Sequence, residues 1–425
     1  MSKNVFVLGL DEDNHEILRA LPGAEGYRFH PLLALEELTQ GELDMPVLLA
    51  EAERQLDSFD GPVDAIIGYW DFPVSSLVPL LCEPRGLPHA PLEAIVRCEH
   101  KYWSRLEQRA VVPEVVPRFA EVDLEDPRLP EGLSYPLWLK PVKAFSSVLA
   151  FRVTDDDQYR NAVQEVRQGA GRVGEPFQWV MDQVQLPREV AEAGGTAGLA
   201  EEEGRGRQLT VEGYVRGSEP HVYGIIDSDC YPGTSSFLCY EYPSRQPESV
   251  RERLVDLSER VISRMGLDDT AFNIEYFYDS SEDKIILLEV NPRHAQSHAM
   301  LFENVNGLAN HETALSIALG EEPSLGSGGK YAFAVRWFLR RFRDGFVHSV
   351  PSEEEIARVQ RQHPGTRIEI VAQPDKWLSE LPGQDSYSFE LADIFVGARN
   401  PEEAERKYRE CVDALHFDIG DAEQH

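Results

Sequence analysis

The segment from residue 271 to residue 293 constrains this chain more than any other. Two strand-like runs, 271–278 and 284–290, flank a turn-forming stretch at 279–283 and predict an antiparallel hairpin. Side chains alternate faces along a strand, and directly opposed residues of an antiparallel pair share a face. Glu275 is therefore expected on one face with Asn273 and Phe277. Glu289 is expected to share a face with Leu287, and extended backbone carries Asn291 to the same side. A turn of ordinary length sets Glu275 beside Glu289. Both acids lie in apolar sequence, where an unpaired charge is costly to bury. Two carboxylates and an amide oxygen make the hard-oxygen set that magnesium takes, with water and phosphate oxygens completing its octahedron. Pro292 ends the strand, and Arg293 follows as a fixed cation. The competing reading is a hairpin with solvated acids on one face.

A second signal surrounds Lys140, at the end of a strand expected over 137–141. The loop of small residues that follows includes Ser146 and Ser147. Backbone N–H groups of such a loop can bind phosphate, and a lysine reaches phosphate oxygens as a point charge. A solvated lysine at a sheet edge is the plainer reading.

Around these signals the chain reads as alternating α/β. Strands are expected over 4–8, 27–33 and 63–68, and helices over 14–21 and 74–82, which suggests an open α/β layer in about the first 90 residues. A single Gly9 followed by Asp11, Glu12 and Asp13 is not the three-glycine dinucleotide fingerprint, which argues against a nicotinamide-linked oxidoreductase. A helix carrying Lys101 is expected over 92–108, a strand over 148–153 and a helix over 155–168. Residues 179–184 read as a strand. Residues 189–207, rich in Gly, Ala and Glu, read as a mobile surface insertion. A hairpin follows over 209–226, then a helix over 250–265. From about residue 330 a C-terminal unit offers strands at 331–339, 366–372 and 389–396. Its last helix is capped by Asn400, with Pro401 at the first helical position.

Charge narrows the partners. With 41 Lys+Arg against 74 Asp+Glu, the net charge is −33, so neither nucleic acid nor an anionic membrane is expected as a partner. No stretch approaches 18 uncharged apolar residues, the apolar run 331–339 is interrupted by Arg336, and no membrane span is expected. Five cysteines without a C-x-x-C pair fit a reducing, cytoplasmic setting.

In order, Lys101, Lys140 with its small-residue loop, Glu275, and then Glu289-Val290-Asn291-Pro292-Arg293 resemble the ATP-grasp superfamily, especially carboxylate–amine (L-amino acid) ligases and biotin carboxylase-like proteins. The resemblance implies an α/β and α+β architecture. Its parts are an N-terminal open α/β (pre-ATP-grasp) layer over 1–93, a two-lobed ATP-grasp domain over 94–329 and a C-terminal α+β extension over 330–425. The mobile lobe would span about 136–215. The implied cofactors are ATP and magnesium, or manganese, with the metal held by Glu275, Glu289 and Asn291. Lys101, Lys140, Ser146 and Ser147 would meet ATP phosphates. Met181, Asp182, Gln183 and Val184 would form the adenine hinge, although the family often has Glu where Asp182 stands. Glu212 would lie near the ribose or the metal. Arg293 would contact the acyl phosphate or the carboxylate. His298 would orient a substrate carboxylate or accept a proton from the amine, unless it is a core histidine. The implied reaction joins a small-molecule carboxylate to an amine with release of ADP and phosphate. ATP-dependent carboxylation and a non-catalytic nucleotide-binding role are the alternatives. Homodimers are common among proteins of this kind.

Overall fold

The computed structural model describes residues 2–144, 149–326, 328–381, 384 and 387–421. The N-terminal layer contains β1 (Lys3–Leu8), α1 (Glu12–Ala20), β2 (Tyr27–Leu32), α2 (Leu35–Thr39), α3 (Met45–Asp57), β3 (Ala65–Ile67) and α4 (Val74–Cys82). Its three strands are parallel in the order β2-β1-β3. The central β1 is nearly all buried, as a parallel strand covered on both faces must be.

Helices α5 (Leu92–Glu99) and α6 (Lys101–Val111) lead out of this layer. The sequence suggests one helix here, but His100 breaks it. Its N–H closes α5 on Val96 O, and its Nδ1 accepts from Trp103 N at 3.2 Å as the cap of α6. The other ring nitrogen meets Gly194 O at 3.1 Å. Burial pushes the imidazole down to about 4, so it is neutral, as this double use requires.

A small lobe follows: β4 (Phe119–Val122), β5 (Leu137–Pro141), β6 (Phe151–Val153), α7 (Asp156–Gly169), α8 (Gly171–Met181), α9 (Arg188–Ala193) and β7 (Gly198–Glu202). Its antiparallel sheet has the order β4-β7-β5-β6. Two expectations fail in this lobe. Residues 179–184 are not a strand but the end of α8 and the turn after it. The apolar run serves a helix face, since Phe177, Val180 and Met181 pack with Phe72, Leu77 and Trp103 of the neighbouring elements. Nor is 189–207 a surface insertion. It supplies α9 and β7, an inner strand whose Leu199 and Ala200 are fully buried.

At residues 203–206 the chain crosses to the large sheet. Gly206 has φ +113°, and a Cβ there would lie 2.2 Å from Tyr278 O, so only glycine fits. The large unit contains β8 (Arg207–Arg216), β9 (Glu219–Cys230), β10 (Phe237–Tyr242), α10 (Glu248–Met265), β11 (Thr270–Asp279), β12 (Lys284–Asn291), α11 (Ala299–Asn306) and α12 (His311–Ala318). The C-terminal segment adds β13 (Phe333–Arg341), β14 (Gly345–Ser349), α13 (Glu353–Gln362), β15 (Thr366–Ile370), β16 (Phe389–Ala398), α14 (Pro401–Ala414) and β17 (Asp418–Asp421). Eight strands form one sheet in the order β12-β11-β8-β9-β10-β13-β16-β15, so the C-terminal strands extend the sheet that carries the hairpin. The outer face of this sheet is apolar where helices cover it. Leu209, Val211, Phe272, Ile274 and Tyr276 pack under α10, and Trp337, Ile394 and Val396 pack under α13 and α14. The inner face carries the polar residues described next. Among the described residues no helix is long and apolar enough to cross a membrane.

Candidate active site

Strands β11 and β12 pair in the register that opposes Glu275 to Glu289 and Asn273 to Asn291. The expected placing of Leu287 beside Glu289 needs correction. The register shifts after Glu275, so Leu288 is an extra residue. A bulge of this kind re-aims side chains: Leu287 is fully buried in the outer core while Glu289 faces inward. Arg105 on α6 clamps the bulge. It donates to Leu287 O at 3.0 Å and to Leu288 O at 2.7 Å.

The two acids repel one another. Burial and the facing charge of Glu289 push the Glu275 carboxyl up to about 7. Among the described residues its one side-chain hydrogen bond comes from Gln208 Nε2, at 2.9 Å. For Glu289 burial acts in the same direction, but the ammonium groups of Lys101 and Lys140 outweigh it and hold the carboxyl below its ordinary value. Lys101 Nζ lies 2.5 Å from Glu289 Oε1 and also donates to Ala144 O at 3.0 Å. As the first residue of α6 it is aimed by the His100 cap.

Asn291 is oriented by a chain of amides. Asn273 Nδ2 donates to Arg293 O at 2.9 Å, so Asn273 Oδ1 is the atom that accepts from Asn291 Nδ2, also at 2.9 Å. Among the described residues Asn291 Oδ1 then has no partner, on the same face as the two carboxylates. Arg293 Nε pairs with Asp71 Oδ1 at 2.6 Å, and its Nη1 donates to His294 O. Two facing carboxylates, of which Glu275 is pushed up to about 7, with an amide oxygen on the same face fit a hard divalent cation. Flanking lysine and arginine groups suit phosphate oxygens.

Residues 133–300 match the family model described as ATP-grasp domain. This chain carries an ATP-grasp domain. The whole fold agrees. An L-amino acid ligase from Bacillus licheniformis superposes with a TM-score of 0.72 at 18% identity, covering 98% of each chain. N5-carboxyaminoimidazole synthase from Aspergillus clavatus, solved with ADP and 5-aminoimidazole ribonucleotide, gives 0.66 at 16% identity, covering 97% of this chain and 98% of that one. A biotin carboxylase domain dimer of 2-oxoglutarate carboxylase from Hydrogenobacter thermophilus, solved with MgADP, ADP and bicarbonate, gives 0.65 at 16%, covering 99% and 91%. No curated protein matches the sequence.

Within the ATP-grasp frame several residues sit elsewhere than the sequence suggested. Met181 is sealed in the core between α8 and the N-terminal layer. Asp182 and Gln183 are exposed at the end of α8, bonded to Gln178 and to Trp179 O, and Val184 is half-buried beyond them. None of the four lies where the lobes join; the chain crosses at 203–206. Glu212 is fully buried, and both of its oxygens are taken by protein groups, so it does not face a nucleotide. Ser146 and Ser147 lie outside the described residues. Lys140 projects from β5 and pairs with Glu201 Oε1 at 2.5 Å.

Sequence reasoning missed Glu201, Arg105 and Asp71. Glu201 on β7 lies between Lys140 and Arg105, whose Nε is 2.9 Å from its other oxygen. Burial acts against its charge, yet the two cations hold it down at about 2. Arg105, spaced one turn from Lys101 on α6, was the readable hint, since residues i and i+4 share a helix face. Asp71 lies in a segment far from the hairpin, and nothing in its local pattern marks it.

Proposed function

We propose that this ATP-grasp protein is an ADP-forming ligase that activates a small-molecule carboxylate as an acyl phosphate and joins it to an amine. One observation carries the reading: Glu275 and Glu289 face one another without a full complement of cations, and Asn291 shares their face with an amide oxygen that has no partner among the described residues. Glu275, Glu289 and Asn291 would hold magnesium, or manganese in its place. When bound, the metal would neutralise phosphate charge and act as a Lewis acid on the transferred group.

The chain's own residues have separable tasks. Lys101 and Lys140 approach from the two sides of the cleft and would bind phosphate oxygens of ATP. Arg293, held by Asp71 and a carbonyl, keeps Nη2 for the substrate carboxylate and for the acyl phosphate made from it. Phosphoryl transfer to a carboxylate is mostly positioning and charge neutralisation, which such a ring of fixed charges supplies. The acyl phosphate is labile in water, so closure of the small lobe over the sheet would protect it. The homodimeric state and cytoplasmic setting expected from the sequence belong to the same proposal.

The test is ADP release from Mg-ATP with pools of the twenty standard amino acids and of small mono- and dicarboxylic acids. Glu289→Ala serves as the blank. ADP that requires both a carboxylate and an amine supports the ligase. ADP with bicarbonate alone replaces it with a carboxylase, and ADP equally abundant in the blank removes the site.

A further inference from the structure

His298 lies in the short turn after Arg293, with 4% of its surface exposed. Its Nδ1 is 2.7 Å from Glu212 Oε1. A carboxylate can only accept, so in the neutral imidazole Nδ1 carries the hydrogen and Nε2 is the bare nitrogen. Nε2 has no partner among the described residues and is not sealed off. Glu212 is itself fixed by Tyr223 OH at 2.9 Å, Ala295 N at 3.3 Å and Asn310 Nδ2 at 3.3 Å. The ring of Tyr240 stands edge-on to the imidazole, with centroids 5.1 Å apart.

The sheet sets the distance to the reacting groups. Glu212 opposes Asn273, which opposes Asn291, so Glu212 stands two strands from that amide, about 10 Å at ordinary strand spacing. Two other histidines nearby behave differently. His294 and His311 are sealed among Tyr69 and one another, and burial pushes both below the ordinary value. Among the described residues they have no carboxylate partner. His298 alone of the three has a buried acid behind one nitrogen and an unpartnered nitrogen in front.

We propose that His298 is the base for the incoming amine and that Glu212 is a positioning residue that fixes its tautomer. This deepens the ligase reading above and rests on it. Nε2 takes one proton from the substrate ammonium. The freed lone pair adds to the acyl carbon, forming the C–N bond. The C–O bond to phosphate then breaks, and its electron pair leaves on the phosphate oxygen. The second amine proton goes to the departing phosphate, and the proton on Nε2 returns to solvent. While it is held there, the imidazolium faces the Glu212 carboxylate. General bases of this kind contribute about 10²–10⁴-fold.

Hydroxylamine separates the two half-reactions, because it is already unprotonated at neutral pH and needs no base. The wild type, His298→Asn and Glu212→Gln are assayed with Mg-ATP and the same carboxylate pools. Each is given either hydroxylamine, read as acyl hydroxamate, or the amino acid pool, read as coupled product. His298→Asn is expected to lose about 100-fold or more in amine coupling and to keep hydroxamate formation within about threefold of wild type. Glu212→Gln, which retains the shape and one acceptor, is expected to fall between the two in coupling only. Coupling retained by His298→Asn overturns the proposal. So does an equal loss of both products, which would mark His298 as a residue of the donor side or of the scaffold. A wild type that makes no hydroxamate with any pool removes the ligase reading and this assignment with it.

Discussion

The large sheet carries an acid cluster on each face, and the two clusters are built oppositely. On the outer face Asp227, Asp229 and Glu241 surround the guanidinium of Arg207, which reaches them at 2.9, 2.6 and 2.6 Å. With Cys239, two of these acids bring ligand atoms within 4.8 Å of one another, close enough for a metal ion. The cation is already there as a side chain, and burial pushes the Cys239 thiol up, away from the thiolate a metal would need. On the inner face Glu275 and Glu289 oppose one another, Lys101 reaches only one of them, and Glu275 stays near neutrality. An acid cluster whose charge a resident cation matches is scaffold; one left short of cations is set to receive one from outside.

Exchange of one residue in each cluster should separate activity from stability. Glu289→Ala is expected to lower ATP turnover more than about 1,000-fold, because several kcal/mol of charge stabilisation depend on the metal. Its melting temperature should hardly move, since Glu289 fills no core volume. Arg207→Leu should do the reverse: ATP turnover per folded molecule is retained, while about 3 kcal/mol of stability is lost, because the acids lose their shared cation and only Glu241 keeps another, Arg245. Loss of turnover in a well-folded Arg207→Leu protein would break the comparison.

Acid titration sharpens it. Glu201 is held at about 2 in the folded protein, against 4.5 for the free group. Its contribution is therefore complete above pH 4.5 and is lost as pH falls toward 2, up to about 3 kcal/mol. Glu275 has the opposite sign. With a folded value of about 7 it is ionised at a cost, so without divalent ion stability falls as pH rises from about 4.5 to 7. Denaturant titrations across pH should show Glu201→Gln flattening the acid limb and Glu275→Gln flattening the neutral one.

Two smaller effects probe how the inner cluster is held. Arg105→Lys keeps the charge opposite Glu201 but cannot grip both bulge carbonyls. Turnover is expected to fall about 10–100-fold, as for other groups that orient metal ligands, with ATP affinity measured in parallel to locate the loss. Saturating Mn2+ should raise the wild-type melting temperature by a few degrees through binding to the folded state alone. Glu275→Gln should abolish that rise, and Arg207→Leu should leave it unchanged.

The inner cluster was legible because its signal is local. The hairpin declares itself by two apolar runs around an acidic turn, and one strand end supplies Glu289, Asn291 and Arg293. The bulge was not legible, because it depends on Arg105, an arginine of a distant helix. Residues 179–184 misled for a simpler reason: six largely apolar residues fit a helix face or a strand equally well, and only the N-terminal layer they pack against decides. The strand β7 was hidden by its composition, since Gly198-Leu199-Ala200-Glu201-Glu202 has acids where a strand would ordinarily show apolar residues. Those acids are tolerated because Arg105, Lys140 and Arg118 neutralise them. His298 and Glu212 are 86 residues apart, and their pairing exists only once the sheet is formed.

The continuity of the large sheet bears on how this gene can be shortened. β10 is bonded on one side to β9 and on the other to β13, which begins at Phe333. A frameshift or proteolytic cut between the end of α12 at Ala318 and that residue would spare every group discussed for the reaction, yet it would leave β10 as a raw edge and strip α14 from the outer core. Open edges recruit other strands. Truncated chains are thus expected in inclusion bodies, and the tail can be shed only at the cost of solubility.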